Sequence, residues 1–146
     1  MNYIEAPKAY CGNEKSLFLA GGISNCPDWQ TLIVSHLWKE EITLFNPRRA
    51  NFPINDVNAA PAQIKWEFDY LKKADAILFW FPKETLCPIV LYELGAHSMT
   101  KKPLFIGVHP EYERKLDVEV QLKLVRPEVE IVYDLKTLGQ QVKKWI

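Results

Sequence analysis

Several absences narrow this 146-residue chain before any motif is read. Cysteine is scarce, and Cys11, Cys26 and Cys87 form an odd set with no CxxC pair and no Cys/His ligand spacing. That argues against a disulfide framework or a zinc site and makes a reducing, cytoplasmic compartment the expectation. No apolar run is long enough to span a bilayer, and Met1–Lys15 lacks the apolar core of a signal peptide, so a soluble protein without a membrane partner is expected. Charge of one sign is missing too: 18 Lys and Arg face 18 Asp and Glu. Arg48-Arg49 and Lys143-Lys144 are isolated pairs, not the basic footprint of a nucleic-acid partner. There is no GxGxxG, no GxxxxGK[ST], no nucleophile elbow and no cluster of metal-ligating side chains, so neither a cofactor nor a metal is expected.

What is present is an ordinary globular composition, 48% hydrophobic and 25% charged, in a chain of one-domain size. Met1–Lys15 shows no clear period and reads as an N-terminal extension to a single domain over 16–146. Strands are expected at Ser16–Ala20, Ile42–Phe45, Ala76–Phe81, Leu104–Val108 and Val129–Val132. The intervening stretches carry the helical period: Pro27 to about Lys39, Ala60–Ala74, Pro88–Thr100, Tyr112–Leu124 and Leu135–Trp145. No repeat, low-complexity tract or interdomain linker interrupts them. The alternation implies an α/β fold, a flavodoxin-like three-layer arrangement around a mostly parallel five-stranded sheet. In that strand order a ligand binds where the first and third strands end, which brings Gly21-Gly22 close to Phe81-Pro82 and the helix that follows.

That helix carries the most informative residue. Glu93 shares a helical face with Ile89, Val90, Ala96 and His97, and an unpaired carboxylate on such a face is costly to bury. Glu67 lies on the inward face of the preceding helix between Ile64 and Leu71, while Asp69 falls on the opposite side in register with Lys73. Glu67 is either the functional candidate of that helix or a carboxylate satisfied by a backbone amide at the helix–sheet junction. Gly21 and Gly22 permit either a tight turn or a close approach to a ligand. Asn46, Arg48 and Arg49 follow the second strand, placed to reach a phosphate or base, or simply solvated. Trp80 can stack on a planar ring or fill the core, and His97 either touches Glu93 or is packed. Asp75 sits at the wrong end of its strand for a site and reads as a turn residue. Cys87 has no activating base beside it and ranks below Glu93.

Taken together, Leu17-Phe-Leu-Ala-Gly-Gly22, Asn46-Pro-Arg-Arg49, Gln63-Ile-Lys-Trp-Glu67, Lys73-Ala-Asp75, Phe79-Trp-Phe-Pro82 and Tyr92-Glu-Leu-Gly95 resemble the nucleoside 2-deoxyribosyltransferase-like proteins. The resemblance runs from about Ser16 to Pro110. It implies transfer of a 2-deoxyribosyl group between nucleobases, with Glu93 as nucleophile and an acid at position 67 serving sugar and base. The substrates would be nucleosides or nucleotides and free nucleobases, and the assembly a homo-oligomer whose sites borrow groups from a neighbouring chain. The best-known members carry Asp where this chain has Glu67, Tyr where it has Phe18, and another Asp where it has Cys87. Two further readings of the same residues are an N-glycoside hydrolase of nucleotides or NAD-like molecules, and a nucleotide-binding module without turnover.

Overall fold

The computed structural model describes residues 1–146. Eleven elements follow in the order β1 (Asn2–Glu5), β2 (Ser16–Gly21), α1 (Trp29–Leu37), β3 (Thr43–Asn46), α2 (Ala59–Lys73), β4 (Ala76–Phe81), α3 (Pro88–Ser98), β5 (Leu104–Val108), α4 (Lys115–Val125), β6 (Ile131–Val132) and α5 (Leu135–Trp145). All strand pairs are parallel, and the sheet runs β1-β3-β2-β4-β5-β6. The expected five-stranded order is therefore present, with one strand more than expected at its edge.

That extra strand corrects the reading of Met1–Lys15. Asn2 to Glu5 pair in register with Thr43 to Asn46, so the edge of the sheet is built from the segment read as an extension. The remainder is held by side chains too. The indole of Trp66 donates to the Lys8 carbonyl at 2.8 Å, and the Tyr10 amide donates to the Tyr70 hydroxyl at 2.6 Å. Edge-strand pairing uses backbone groups, and a segment with Pro, Lys and Glu between its apolar residues shows no period from which to read it.

The sheet's period of two sorts its residues between two cores. Phe18, Ala20, Ile77, Phe79 and Phe81 pack under α2, α3 and α4, whereas Leu17, Leu19, Leu78 and Trp80 pack under α1 and α5. Helices lie on opposite faces because the crossover from β2 to β3 runs one way along the sheet and those from β3 to β4 and β5 run the other. Asp28 and Asp134 cap α1 and α5, accepting from the amides of Thr31 at 3.1 Å and Thr137 at 2.8 Å. Pro88 opens α3, where its missing N–H costs nothing.

Two expectations shift by local detail. α4 starts at Lys115 and not at Tyr112, because Tyr112 closes a turn on His109 and donates its hydroxyl to the Leu86 carbonyl at 2.7 Å. The inward face of α2 is Trp66, Tyr70 and Leu71, while Ile64 is 65% exposed. Trp66 stacked on Tyr70, and Tyr70 packed at a tilt against Phe45, fill the layer and turn Ile64 outward.

Candidate active site

The chain reverses its direction along the sheet between β2 and β4, and the carboxyl ends of those strands frame a cavity of about 270 Å³. Its floor is Phe18, Ala20 and Gly21, and the β2–α1 loop contributes Gly22, Ile23 and Ser24. Pro47, Thr85 and Cys87 come from the neighbouring loops, and Pro88, Ile89 and Val90 from the start of α3. Two carboxylates enter it, Glu67 from α2 and Glu93 from α3. The structure thus brings together the two acids that sequence reasoning singled out from different helices. No lysine, arginine or histidine lines the cavity.

The electrostatics follow from that lining. Burial pushes Glu93 up to about 8, and the negative charge of Glu67 adds to the rise. Glu93 is the sixth residue of α3, and the helix dipole acts mainly within the first turn. Burial therefore outweighs the helix N-terminus. Glu67 is also raised by burial, but a 2.8 Å hydrogen bond from Gln63 Nε2 to its Oε1 opposes the rise. Of the two acids, Glu93 is raised the further and holds its proton near neutrality.

The glycines serve close packing. A Cβ on Gly21 would run into the Trp29 ring and lie 2.6 Å from the Trp80 carbonyl. One on Gly22 would lie 2.8 Å from Pro82 and 3.0 and 3.1 Å from the thiols of Cys26 and Cys87. Neither glycine has a positive φ. The chain's own contacts demand them, and the resulting close approach lets the loop border the cavity.

The other candidates lie elsewhere. Trp80 is 5% exposed with its ring against Gly107, on the side of the sheet away from the cavity, so the alternation of the strand buries it in the other core. Asn46 donates to the Tyr3 hydroxyl at 2.6 Å and accepts from the Arg48 amide at 2.9 Å, which fixes the β3–α2 loop. Arg48 donates to the carbonyls of Pro27 and Cys26 and to Gln30 Oε1, each at 3.0 Å, clasping the start of α1. His97, one turn beyond Glu93, faces Lys102 and Lys72; burial first, and then those cations, lower its proton affinity. Its Nδ1 is buried without a protein partner. Asp75 accepts from Ser16 N and Oγ, both at 2.8 Å, as a turn residue at the far end of the sheet. Asp69 pairs with Lys65 and not with Lys73, whose ammonium bonds the Tyr10 carbonyl.

Cys87 lines the cavity at the left-handed residue that precedes α3, φ 50°, and burial pushes its thiol to about 12. A thiol so held is neutral and no nucleophile. Sequence reasoning missed Ser24, Thr85 and Gln63. Only Gln63 carried a usable signal, its spacing of four residues before Glu67 on one helix.

Residues 14–112, more than half of the chain, match the family model described as nucleoside 2-deoxyribosyltransferase like. No curated protein matches the sequence.

Proposed function

The chain belongs to the nucleoside 2-deoxyribosyltransferase-like family, and from that premise we propose that it transfers the sugar of a nucleoside between nucleobases through a glycosyl ester on Glu93. The observation that carries this reading is the convergence of Glu93 and Glu67 on one cavity at the switch point of the sheet. Cleaving an N-glycosidic bond builds positive charge at C1′ and on its ring oxygen, and a carboxylate beside C1′ stabilises that charge and then traps it.

In the first step an Oε of Glu93 bonds to C1′ as the C1′–N bond breaks, and the electron pair leaves with the base nitrogen. The base takes a proton, delivered by Glu67 or a water that it orients. In the second step a nitrogen of another base attacks C1′, Glu93 departs as carboxylate, and the incoming base returns a proton to Glu67. Configuration at C1′ is inverted twice and so retained. Because burial keeps the resting proton on Glu93, that proton has to pass to Glu67 or the base before attack. The pair carries within itself the proton that the leaving base requires.

Substrate charge follows from the lining. With two acids and no cation at the cavity, and with Arg48 committed to the α1 loop, a neutral nucleoside fits better than its 5′-monophosphate. No cofactor enters the reaction. A subunit contact would lie on the outer surfaces of α2 and α3, where Ile64, Phe68, Ile89 and Tyr92 are 57–77% exposed, on an assembly of the kind the family resemblance implies.

Incubation with one deoxynucleoside and a second free base, followed by chromatography, tests the transfer. Formation of the second nucleoside supports it, and free base without exchange makes the chain a hydrolase, in which water takes the place of the acceptor. A 5′-monophosphate is expected to react with kcat/KM tenfold lower or worse, a loss of about 1.4 kcal/mol or more.

A further inference from the structure

Gln63 lies one turn before Glu67 on α2, and its amide nitrogen touches two acceptors at once. Nε2 donates to the Pro47 carbonyl at 2.7 Å and to Glu67 Oε1 at 2.8 Å. An amide nitrogen has two hydrogens, and both are spent here. The reverse orientation of the amide would set Oε1 against two acceptors, so the chemistry of the neighbours fixes it. The Oε1 atom is buried and accepts no hydrogen bond from the protein. A buried orphan acceptor is costly, so the orientation is kept for what the nitrogen does.

What the nitrogen does concerns the pair of acids. It can only donate, and a donor to Glu67 favours the ionised form of that carboxyl group. Glu93 has no protein donor of its own. The titratable groups bordering the cavity are Glu67 on α2, Glu93 on α3 and the neutral thiol of Cys87 before α3. The β2 and β3 sides and the β2–α1 loop contribute none. The two acids therefore compete for a proton, and Gln63 is a side-chain donor that one of them has and the other lacks.

We propose that Gln63 is a positioning residue that keeps Glu67 as the carboxylate of the pair, and so leaves the shared proton on Glu93 until substrate arrives. It also ties Glu67 to the β3–α2 loop through the Pro47 carbonyl, so movement of that loop and the protonation of the pair are linked. This rests on the reading of Glu93 and Glu67 as the reacting acids, but its test needs no substrate.

The experiment is a carboxyl-carbon NMR titration of the full chain labelled with 13C-glutamate, with the two signals assigned by Glu67→Gln and Glu93→Gln. In Gln63→Leu the midpoint of Glu67 is expected to rise by about one pH unit, the scale of one lost hydrogen bond to a charged group. The midpoint of Glu93 is expected to fall, because its neighbour then stays neutral to higher pH. Gln63→Met, unbranched and of the same reach, carries the same expectation if leucine disturbs the packing of α2. In the Glu67→Gln background, loss of Gln63 should leave Glu93 where it is. Unchanged midpoints, or a Glu93 shift of equal size with and without the Glu67 carboxylate, would overturn the proposal. Predicted midpoints in a chain that releases no base from any nucleoside would keep it and remove the functional reading instead.

Discussion

Glu93 is a carboxylic acid that burial holds protonated near neutrality, with a folded-state value of about 8 against an ordinary 4.5. Two outcomes follow. The last proton of the pair is the one the leaving base requires, so the single-turnover rate of base release should fall as pH climbs through about 8. Stability falls over the same range. A group whose folded proton affinity is raised contributes fully below its unfolded value of 4.5, and that contribution is lost as pH climbs through about 8. Glu93→Gln should thus gain thermal stability relative to wild type between pH 5 and pH 9, read as the difference between their melting temperatures across that range. Glu67→Gln removes the proton carrier and should slow base release by about 10²–10⁴-fold, most for bases that leave poorly without protonation. The pairing of these acids was legible from the family resemblance, and the choice of Glu67 over Asp69 from helical spacing, although Ile64, which marked the inward face, is exposed. Their charge states were not, since the balance between burial and the helix N-terminus depends on the cation-free lining of the finished cavity.

At the scale of elements, strand parity explains both a success and a miss. The apolar run Ala76–Phe81 was readable as a strand buried on both faces. Its alternation sends Phe79 and Phe81 toward the side of α2 and α3, and Trp80 toward α1 and α5. Trp80 therefore cannot stack on a ligand at Glu93, which a count along the strand from a residue of known facing would have told. The edge strand β1 had no such signature, because its hold on the sheet is made of backbone pairs with β3 and of long-range bonds from Tyr3 and Tyr10. Deleting residues 1–10 should consequently unfold the chain or cost several degrees of melting temperature, uncovering Phe45, Trp66 and Tyr70. A circular-dichroism melt identical to that of the full chain would show the segment to be dispensable. Tyr3→Phe is the milder counterpart, removing the bond from Asn46 and costing about 1 kcal/mol in a denaturant titration.

Across the whole molecule, about half of the large apolar side chains left uncovered lie on or beside α2, α3 and α4, among them Phe68, Tyr92, Met99 and Leu124. Light scattering on the eluting peak should find more than one chain per particle, and a double Phe68→Glu, Tyr92→Glu variant should shift it toward the monomer. A monomer in wild type at micromolar concentration would leave that surface to another role. The parallel sheet, its order from β3 to β6 and the switch point were all legible, since they follow from alternating periods and the hand of crossovers. The family match covers residues 14–112, the part of the chain that runs from β2 through β5. The central claim, a covalent sugar on Glu93, is tested most directly by the mass of the intact chain after incubation with a slow-reacting 2-fluoro-2-deoxy nucleoside. Wild type is predicted to gain one fluoropentosyl group, with stoichiometric release of base, and Glu93→Ala to gain nothing. Base release without an adduct, persisting at the same rate in Glu93→Ala, would contradict the account.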